Sequence, residues 1–470
     1  MYWLLVASYY FYMSWNAQYA ILIGTSTIVT YLSSLIFSKL PEKSSNKIKR
    51  LVLIVCIVFN LGILIIFKYG NFGIDTINYL FSKIGISIIQ KRFDFLLPVG
   101  ISCYTFQALG YMIDVYRGDV KVEKNFFRYA LFVSFFPQLV AGPIERSKNL
   151  LSQMQNIERM VVWNAKKITS GAILMVWGLF MKMVIADRVS ILVDNVFNNY
   201  RMYGGTELVI AAIAFSLQIY CDFGSYSMIA IGASRIMGFD LMENFKSPYF
   251  ATSIKDFWSR WHISLSTWFR DYIYIPLGGN RKGKTRKYLN TLIVFLISGL
   301  WHGANWSFVV WGGIHGVYQI TEDYIKPYRE KIETKLNIKK DCFSYRLLNT
   351  IITFLFVDIA WVFFRSDSVK DALRYFYYIF VKPRTWVLFN NGIYNLGLDQ
   401  TEMNILLFSV VILFIVDFIR YKKDMMIDTF LFSQNIWFEW SVIILLILMI
   451  FIYGEYGPTF DAKQFIYFQF

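Results

Sequence analysis

The chain has 470 residues, of which 56% are hydrophobic and 17% are charged. A globular domain is typically about 25% charged and carries its apolar residues in short periodic runs, whereas several uncharged stretches of this chain are long enough to cross a bilayer. The composition therefore excludes an ordinary soluble enzyme and predicts an all-α, polytopic helical bundle in a membrane.

The net charge of +15 comes largely from basic residues in short loops beside apolar segments. A soluble protein with this excess would be a candidate for nucleic-acid binding, but basic loops next to membrane spans indicate cytoplasmic loops that face anionic lipid headgroups. We expect the lipid bilayer as a partner, and no nucleic acid. The first charged residue is Lys39, so the N-terminus lacks the basic region of a signal peptide and is predicted to be a retained membrane helix.

The N-terminal segments alternate between apolar helices and one basic loop. Residues 1–38 contain no charged side chain, and a polar break at residues 15–16 divides them into a short helix and a full-length helix. The loop Lys39–Arg50 has five basic residues and one acidic residue. Leu51–Phe67 is another uncharged helix, whereas Gly70–Arg92 mixes polar and apolar residues as interfacial or re-entrant helices do.

Eight more apolar segments follow, and the total predicts roughly nine to eleven membrane crossings. They lie near residues 96–113, 126–141, 168–186, 208–221, 288–320, 347–364, 403–419 and 440–453. The basic loops Arg281–Lys287 and Lys326–Arg346 bracket the longest of them, which has room for two passes or for one pass and a re-entrant element. If both loops are cytoplasmic, an even number of crossings lies between them.

The domain organisation predicted from this pattern is a single membrane domain over residues 1–470. Residues 366–400 are polar enough for an external loop that contains an amphipathic helix near Val369–Val381. The subdivisions are N-terminal helices at 1–95, a core at 96–320 and C-terminal helices at 321–470.

All three histidines of the chain, His262, His302 and His315, lie within one part of this core. Each imidazole could simply hydrogen-bond a neighbouring helix, but ionisable groups inside a membrane are costly and are functional candidates. His302 has no charged residue within ten positions on either side. Desolvation is therefore expected to keep it neutral and able to accept a proton, as a general base must.

The stretch Phe257–Arg281 is dense in tryptophan, arginine and other aromatic residues, and it is too polar for a lipid-facing span. One interpretation is an interfacial belt of aromatic and basic residues. The other is a re-entrant wall of a water-accessible tunnel, because irregular backbone at membrane depth must be buried in protein or line a cavity. In the second case Arg260, Arg270 and Arg281 could bind a phosphate-bearing donor.

Other groups of residues are less specific indicators of a function. Ser264 lies near His262 without a G-x-S-x-G elbow, which disfavours serine hydrolysis. The histidines lack the spacing of zinc ligands, and the four cysteines lack that of a disulfide or metal motif, so no metal is expected. Asp222 interrupts an apolar run and could be a helix cap, an orienting partner for a histidine or a member of a structural ion pair.

Six strings together resemble the membrane-bound O-acyltransferase family, in particular its bacterial members that acetylate alginate or peptidoglycan. The strings are LPVGISCYTFQALGYMIDVYRG from Leu97, FFPQLVAGPIERS from Phe135, YCDF from Tyr220, DFWSRWHISLSTWFRDYIYIPLGGNR from Asp256, SGLWHGANWSFVVWGGIHG from Ser298 and FIYFQF from Phe465.

The resemblance implies a helical bundle pierced by a tunnel, with His302 as the catalytic residue and His262 assisting it. It also implies acetyl transfer across the membrane from a cytoplasmic donor, with acetyl-CoA as co-substrate and no bound cofactor, to a cell-surface polysaccharide such as an alginate-like exopolysaccharide or peptidoglycan. An extracytoplasmic SGNH-type partner is expected to complete the transfer. The residues expected to support the site or line the tunnel are Asp222, Arg260, Trp261, Ser264, Arg270, Asp271, Trp301, Asn305 and His315.

The chain departs from the family pattern in two places. Relatives usually carry one more apolar helix before the segment that matches Tyr2–Asn16, so we expect either a misassigned start or a shorter N-terminus. Relatives also tend to read Y-x-D-F-S-G-Y-S-D where this chain has YCDFGSYSM, so Met228 replaces an acid and Asp222 is the only carboxylate of the pair.

Two functions outside acyl transfer compete with this interpretation. One is a polytopic transporter or flippase of a lipid-linked or acyl intermediate, in which the histidines relay protons. The other is a scaffold that recruits polysaccharide machinery, but the polar stretch Phe257–Arg281 disfavours it.

Overall fold

The computed structural model describes residues 1–40, 46–85, 98, 100–139, 142–159 and 163–456. The terminal string that begins at Phe465 lies outside these ranges, as do residues 86–92 and small parts of the strings that begin at Leu97 and Phe135. Of the residues in these ranges, 79% are helical and none lies in a strand. The predicted all-helical class is therefore confirmed.

Twenty α-helices occur in the described ranges. The first ten are α1 (Tyr2–Met13), α2 (Tyr19–Lys39), α3 (Asn46–Leu64), α4 (Gly70–Ser82), α5 (Ile101–Arg117), α6 (Phe126–Ser134), α7 (Phe136–Leu139), α8 (Ser152–Gln155), α9 (Ala165–Leu179) and α10 (Asp187–Asn198). The others are α11 (Gly205–Ile236), α12 (Ile254–Arg260), α13 (Ile263–Phe269), α14 (Gly283–His302), α15 (Trp306–Lys335), α16 (Phe343–Arg365), α17 (Val369–Val381), α18 (Gln400–Lys423), α19 (Ile427–Phe432) and α20 (Ile436–Tyr453).

Several of these helices are joined without a break by π-helical turns. Ile65–Tyr69 connects α3 to α4, and Phe180–Ala186 connects α9 to α10. Seven continuous helices of the described chain are long and apolar enough to cross a membrane: Tyr19–Lys39, Lys47–Ser82, Ala165–Asn198, Gly205–Ile236, Phe343–Arg365, Gln400–Lys423 and Ile436–Tyr453. The protein is thus a multi-pass membrane protein, and the total of nine to eleven crossings stays a prediction.

Three local predictions agree with the observed elements. The polar break at residues 15–16 separates α1 from α2. The long uncharged stretch between the two basic loops is divided between two helices, α14 and α15, and the even number of crossings stays a prediction. The amphipathic helix predicted near Val369–Val381 is α17, with those bounds.

The chain divides into two compact units. The first consists of Met1–Ile168 and Ala233–Met242, and the second consists of Thr169–Gly232 and Glu243–Phe470. Every residue predicted for the site falls in the second unit. Within the first unit, buried Glu145 accepts hydrogen bonds from the Met242 amide and from Asn149 Nδ2, which fixes the loop after α11.

Glycine residues at the contact between α14 and α15 allow these two helices to pack closely as a hairpin. A Cβ atom at Gly299 would lie 2.2 Å from the carbonyl oxygen of Phe308, and one at Gly312 would lie 2.2 Å from that of Phe295. Small residues allow helix backbones to approach closely where there is no hydrophobic drive between membrane helices. This contact places the C-terminal end of α14, and with it His302, against the start of α15.

Candidate active site

His262 lies at the junction of two short helices, α12 and α13. Each has seven residues, too few to span a bilayer. The backbone of His262 is left-handed, with φ 43° and ψ 54°, a conformation that costs a non-glycine residue about 1–2 kcal/mol. Asn244 holds the junction: its carbonyl oxygen accepts from the amide of Ile263 at 3.0 Å, and its Oδ1 accepts from Ser264 Oγ at 2.6 Å. The predicted site residue Ser264 thus anchors the turn that presents His262.

His302 is the last residue of α14, and its imidazole lies beside that of His262. The two ring centroids are 6.3 Å apart. Trp301 contacts both rings, with centroid distances of 5.8 Å to His262 and 4.9 Å to His302. The structure therefore brings together three of the residues predicted for the site from two separate sequence strings.

Aromatic side chains enclose both imidazoles. Phe223 packs against His262 at 4.7 Å, while Trp311 and Phe364 pack edge-on against His302 at 5.0 Å and 5.4 Å. His262 is 2% exposed and His302 is 6% exposed. Such a site excludes water and strengthens electrostatic interactions within it.

Neither ring nitrogen of His262 has a hydrogen-bond partner within the described part of the chain. A buried polar atom without a partner costs about 1–3 kcal/mol. Both ring nitrogens are therefore available to a reacting group, as a catalytic role of the imidazole requires.

His315 does not contact the other two histidines directly and lies behind the aromatic wall that encloses them. Its Nδ1 accepts a hydrogen bond from Trp258 Nε1 at 3.3 Å, which assigns the proton of the neutral ring to Nε2. Trp311 lies between His315 and His302, with ring-centroid distances of 5.2 Å and 5.0 Å. His315 therefore supports the wall of the site from behind Trp311.

Asp222 forms a buried ion pair. Its Oδ1 lies 2.6 Å from Nζ of Lys182, which also lies 2.7 Å from Oδ1 of Asp187. Of the three alternatives left open by the sequence, the structure shows the ion pair. Sequence reasoning missed Lys182 because 40 residues separate it from Asp222 and nothing local marks the contact. The next residue, Phe223, touches His262, so this ion cluster fixes the segment of α11 that contacts the site.

Replacement of Lys182 by methionine should destabilise the protein by roughly 3–5 kcal/mol, because two buried carboxylates would lose their common cation. The matched control is Lys167→Met, since Lys167 forms a 2.9 Å pair with Asp240 in which both side chains are over a third exposed, and such pairs contribute about 0–1 kcal/mol. Thermal unfolding of both variants in detergent would show the difference. Equal shifts in the two melting temperatures would contradict the structural role of the cluster.

The arginines proposed to bind a donor are engaged to different degrees. Arg260 pairs with Asp256 at 2.7 Å, one helical turn earlier, and donates to the carbonyl oxygen of Lys246. Arg270 is 60% exposed and pairs with its neighbour Asp271 at 2.8 Å. Arg281 is also exposed. Arg270 and Arg281 are thus accessible to an anionic ligand.

Two further residues predicted for the site, Trp261 and Asn305, make packing and capping contacts. Trp261 is buried between Phe257 and Trp361, with centroid distances of 5.5 Å and 5.1 Å. Asn305 caps the N-terminus of α15 by accepting from the amide of Ser307, and its Nδ2 donates to the carbonyl oxygen of Asp367 at 2.7 Å. The contribution of these residues to chemistry stays a prediction.

Comparison with known proteins identifies the family. Residues 119–364 match the family model described as MBOAT, membrane-bound O-acyltransferase family. This chain belongs to the MBOAT family. It is therefore an acyltransferase, as the sequence strings predicted.

The proteins similar in sequence to this chain include enzymes named for the acetylation of alginate or peptidoglycan. The chain is 39% identical over 371 residues to the probable alginate O-acetylase AlgI of Pseudomonas syringae pv. tomato, covering 79% of this chain and 68% of the relative. It is 38% identical over 385 residues to the probable alginate O-acetylase AlgI of Pseudomonas aeruginosa, covering 82% and 70%. It is 34% identical over 396 residues to the peptidoglycan O-acetyltransferase of Helicobacter pylori, covering 79% and 72%.

Proposed function

We propose that this MBOAT enzyme transfers an acetyl group from cytoplasmic acetyl-CoA, across the membrane, to a cell-surface polysaccharide such as an alginate-like exopolysaccharide or peptidoglycan. The observation that carries the proposal is the pair of buried imidazoles, His262 and His302, 6.3 Å apart in a water-excluding aromatic site. The names of the relatives supply the acetyl group and the class of acceptor.

The proposed chemistry divides between the two histidines. His302 removes the proton of an attacking hydroxyl group, whose oxygen then bonds to the thioester carbonyl carbon. The carbon–sulfur bond breaks, an ester forms, and the proton leaves with the thiolate. General-base assistance of this kind contributes about 10²–10⁴-fold. His262 donates a hydrogen bond to the oxyanion that develops on the carbonyl oxygen.

The charge pattern supports a site reached from both sides of the membrane. The basic loop Arg281–Lys287 leads into α14, and the basic segment Lys326–Arg346 includes the end of α15, so the positive-inside rule predicts that both face the cytoplasm. His302 lies about 28 Å along α14 from its first residue. We propose that the donor approaches from the cytoplasm and the acceptor from outside, with an extracytoplasmic SGNH-type partner completing transfer to the sugar.

Purified protein in proteoliposomes with radiolabelled acetyl-CoA distinguishes this function from transport. We expect label to appear in base-labile ester linkage on an added glycan or on a partner protein. A transporter or flippase would move its substrate intact and leave no ester. Movement of intact substrate without any labelled ester would therefore contradict the proposal.

Replacement of His262 by glycine should lower kcat by about 10²–10³-fold, the usual effect of removing one oxyanion donor. Glycine adopts the left-handed backbone of this position without steric cost, so the protein should still fold. His262→Asn is the control, because asparagine also tolerates this backbone and its side-chain amide can donate to an oxyanion, so it should lose less rate than the glycine variant. Wild-type kcat in the glycine variant would exclude a role for the imidazole.

A further inference from the structure

Arg420, near the C-terminal end of α18, binds the loop of residues 243–247 between α11 and α12, which we call the 243–247 loop. Its Nη2 donates to Oε2 of Glu243 at 2.7 Å and to the backbone carbonyl oxygen of Phe245. Arg420 is 8% exposed, and hydrogen bonds from a charged donor are among the stronger contacts in a protein. The loop is therefore fastened to a helix that lies far from it in the sequence.

A second contact fastens the end of the same loop to α18. Ser247 Oγ donates to the backbone carbonyl oxygen of Asp417 at 2.9 Å. Ser247 is buried, and its backbone is left-handed with φ 44°, a conformation that is unfavourable for most residues other than glycine. The hydrogen bond to α18 thus holds a turn that the backbone alone does not favour.

The 243–247 loop in turn holds the junction that presents His262. Asn244, in the middle of the loop, binds the first turn of α13 directly after His262 through its backbone carbonyl oxygen and its Oδ1. The backbone amide of Lys246 donates to the carbonyl oxygen of Arg260 at 3.0 Å. The loop therefore contacts the chain on both sides of His262, whose own backbone is left-handed.

The loop also supports the aromatic wall beside His262. The ring of Phe245 packs edge-on against Phe223 and Trp261, with a centroid distance of 4.9 Å to each. Phe223 is the ring that contacts His262 at 4.7 Å. The position of His262 therefore depends on α18 by two routes, one through the hydrogen bonds of the loop and one through aromatic packing.

From these contacts we infer that Arg420 is a positioning residue, which acts through the 243–247 loop to hold the His262 imidazole where it can donate to the developing oxyanion. The inference rests on the proposed function for the role of His262. α18 lies outside residues 119–364, which match the family model. A displacement of about 1 Å in a catalytic group can cost 100-fold in rate, so a contact made by α18 can control the rate from outside the site.

A purely structural role for Arg420 is the alternative. Glu243 is 30% exposed, and ion pairs that water reaches contribute little to stability. The bond to the carbonyl oxygen of Phe245 is buried and stabilises the loop in either case. The two roles differ in their dependence on His262. A positioning residue affects kcat only when the imidazole is present, whereas a general loss of packing lowers kcat with or without it.

The test is a double-mutant cycle on the full-length protein in proteoliposomes, with kcat and KM for labelled acetyl-CoA and the melting temperature measured for each variant. We expect Arg420→Gln to lower kcat about 10–100-fold with little change in KM, and to have no further effect on kcat in the His262→Gly background. Ser247→Gly keeps the left-handed backbone but loses the hydroxyl, and should give the same pattern with a smaller loss. Lys422→Gln removes an exposed charge from the same end of α18 and should leave kcat unchanged.

Equal losses of kcat from Arg420→Gln in the two backgrounds would overturn the inference and leave the proposed function standing. Wild-type kcat in Arg420→Gln, or an equal loss in Lys422→Gln, would also overturn it. If Arg420→Gln does not fold, Ser247→Gly decides between the same outcomes. Wild-type kcat in His262→Gly alone would contradict the oxyanion role in the proposed function, and with it the inference that rests on that role.

Discussion

Replacement of His302 by alanine should lower the rate of acyl transfer by about 10²–10⁴-fold, the contribution of a general base. The imidazole lies at the end of α14 in contact with His262, Trp311 and Phe364. The adjacent imidazole, His262, is assigned to the oxyanion, and His315 lies behind Trp311. The initial rate of ester formation from labelled acetyl-CoA in proteoliposomes measures the effect.

His302→Gln is the control for packing. Glutamine fills much of the same volume and can hydrogen-bond, but it cannot accept a proton at neutral pH. We expect the same loss of rate as with alanine, together with a melting temperature near that of the wild type. Transfer at the wild-type rate by the glutamine variant would rule out general-base catalysis by His302.

Replacement of Gly312 by alanine should reduce both stability and activity, although Gly→Ala in a helix normally stabilises by about 0.5–1 kcal/mol. The new Cβ would lie 2.2 Å from the carbonyl oxygen of Phe295 and 3.1 Å from the amide of Gly299. Both are backbone atoms, so α14 and α15 would have to separate. A displacement of about 1 Å in the position of a catalytic group can cost 100-fold in rate, and His302 moves with α14.

Gly313→Ala is the matched control, one residue further along the same helix. Its Cβ would approach only Leu296 Cδ2, at 3.4 Å, an ordinary contact with a flexible side chain. We expect near-wild-type melting temperature and rate for this variant, measured in the same detergent and the same transfer assay. Equal losses in Gly312→Ala and Gly313→Ala would show that the close approach of the two helices does not control the site.

The helical class and much of the element order could be predicted because a bilayer imposes long uncharged runs and places basic residues in loops. The stretch between Arg281–Lys287 and Lys326–Arg346 illustrates this, since its length predicted two passes, or one pass and a re-entrant element, and the structure divides it between two helices, α14 and α15. The amphipathic pattern of Val369–Val381 likewise predicted α17. The family followed from the sequence strings rather than from physical patterns.

The site was less accessible to sequence reasoning because its contacts join distant segments. His262 and His302 were predicted, but the walls supplied by Phe223 and Phe364 become visible only in the fold. The pair of Lys182 with Asp222 has no local sequence pattern. By contrast, the ion pair of Arg260 with Asp256 was readable from its i,i+4 spacing, which weakens the case for Arg260 as a donor ligand.

The most direct test of the account is the ester-linked acetate that mild base releases from purified cell-wall and exopolysaccharide fractions. Wild-type cells, a deletion strain, and the deletion strain complemented with the wild-type chain or with His302→Ala would be compared. We expect the deletion to remove acetate from one glycan fraction, the wild-type chain to restore it, and the variant not to restore it, despite equal protein in the membrane. Unchanged acetate in every fraction, or full restoration by His302→Ala, would contradict it.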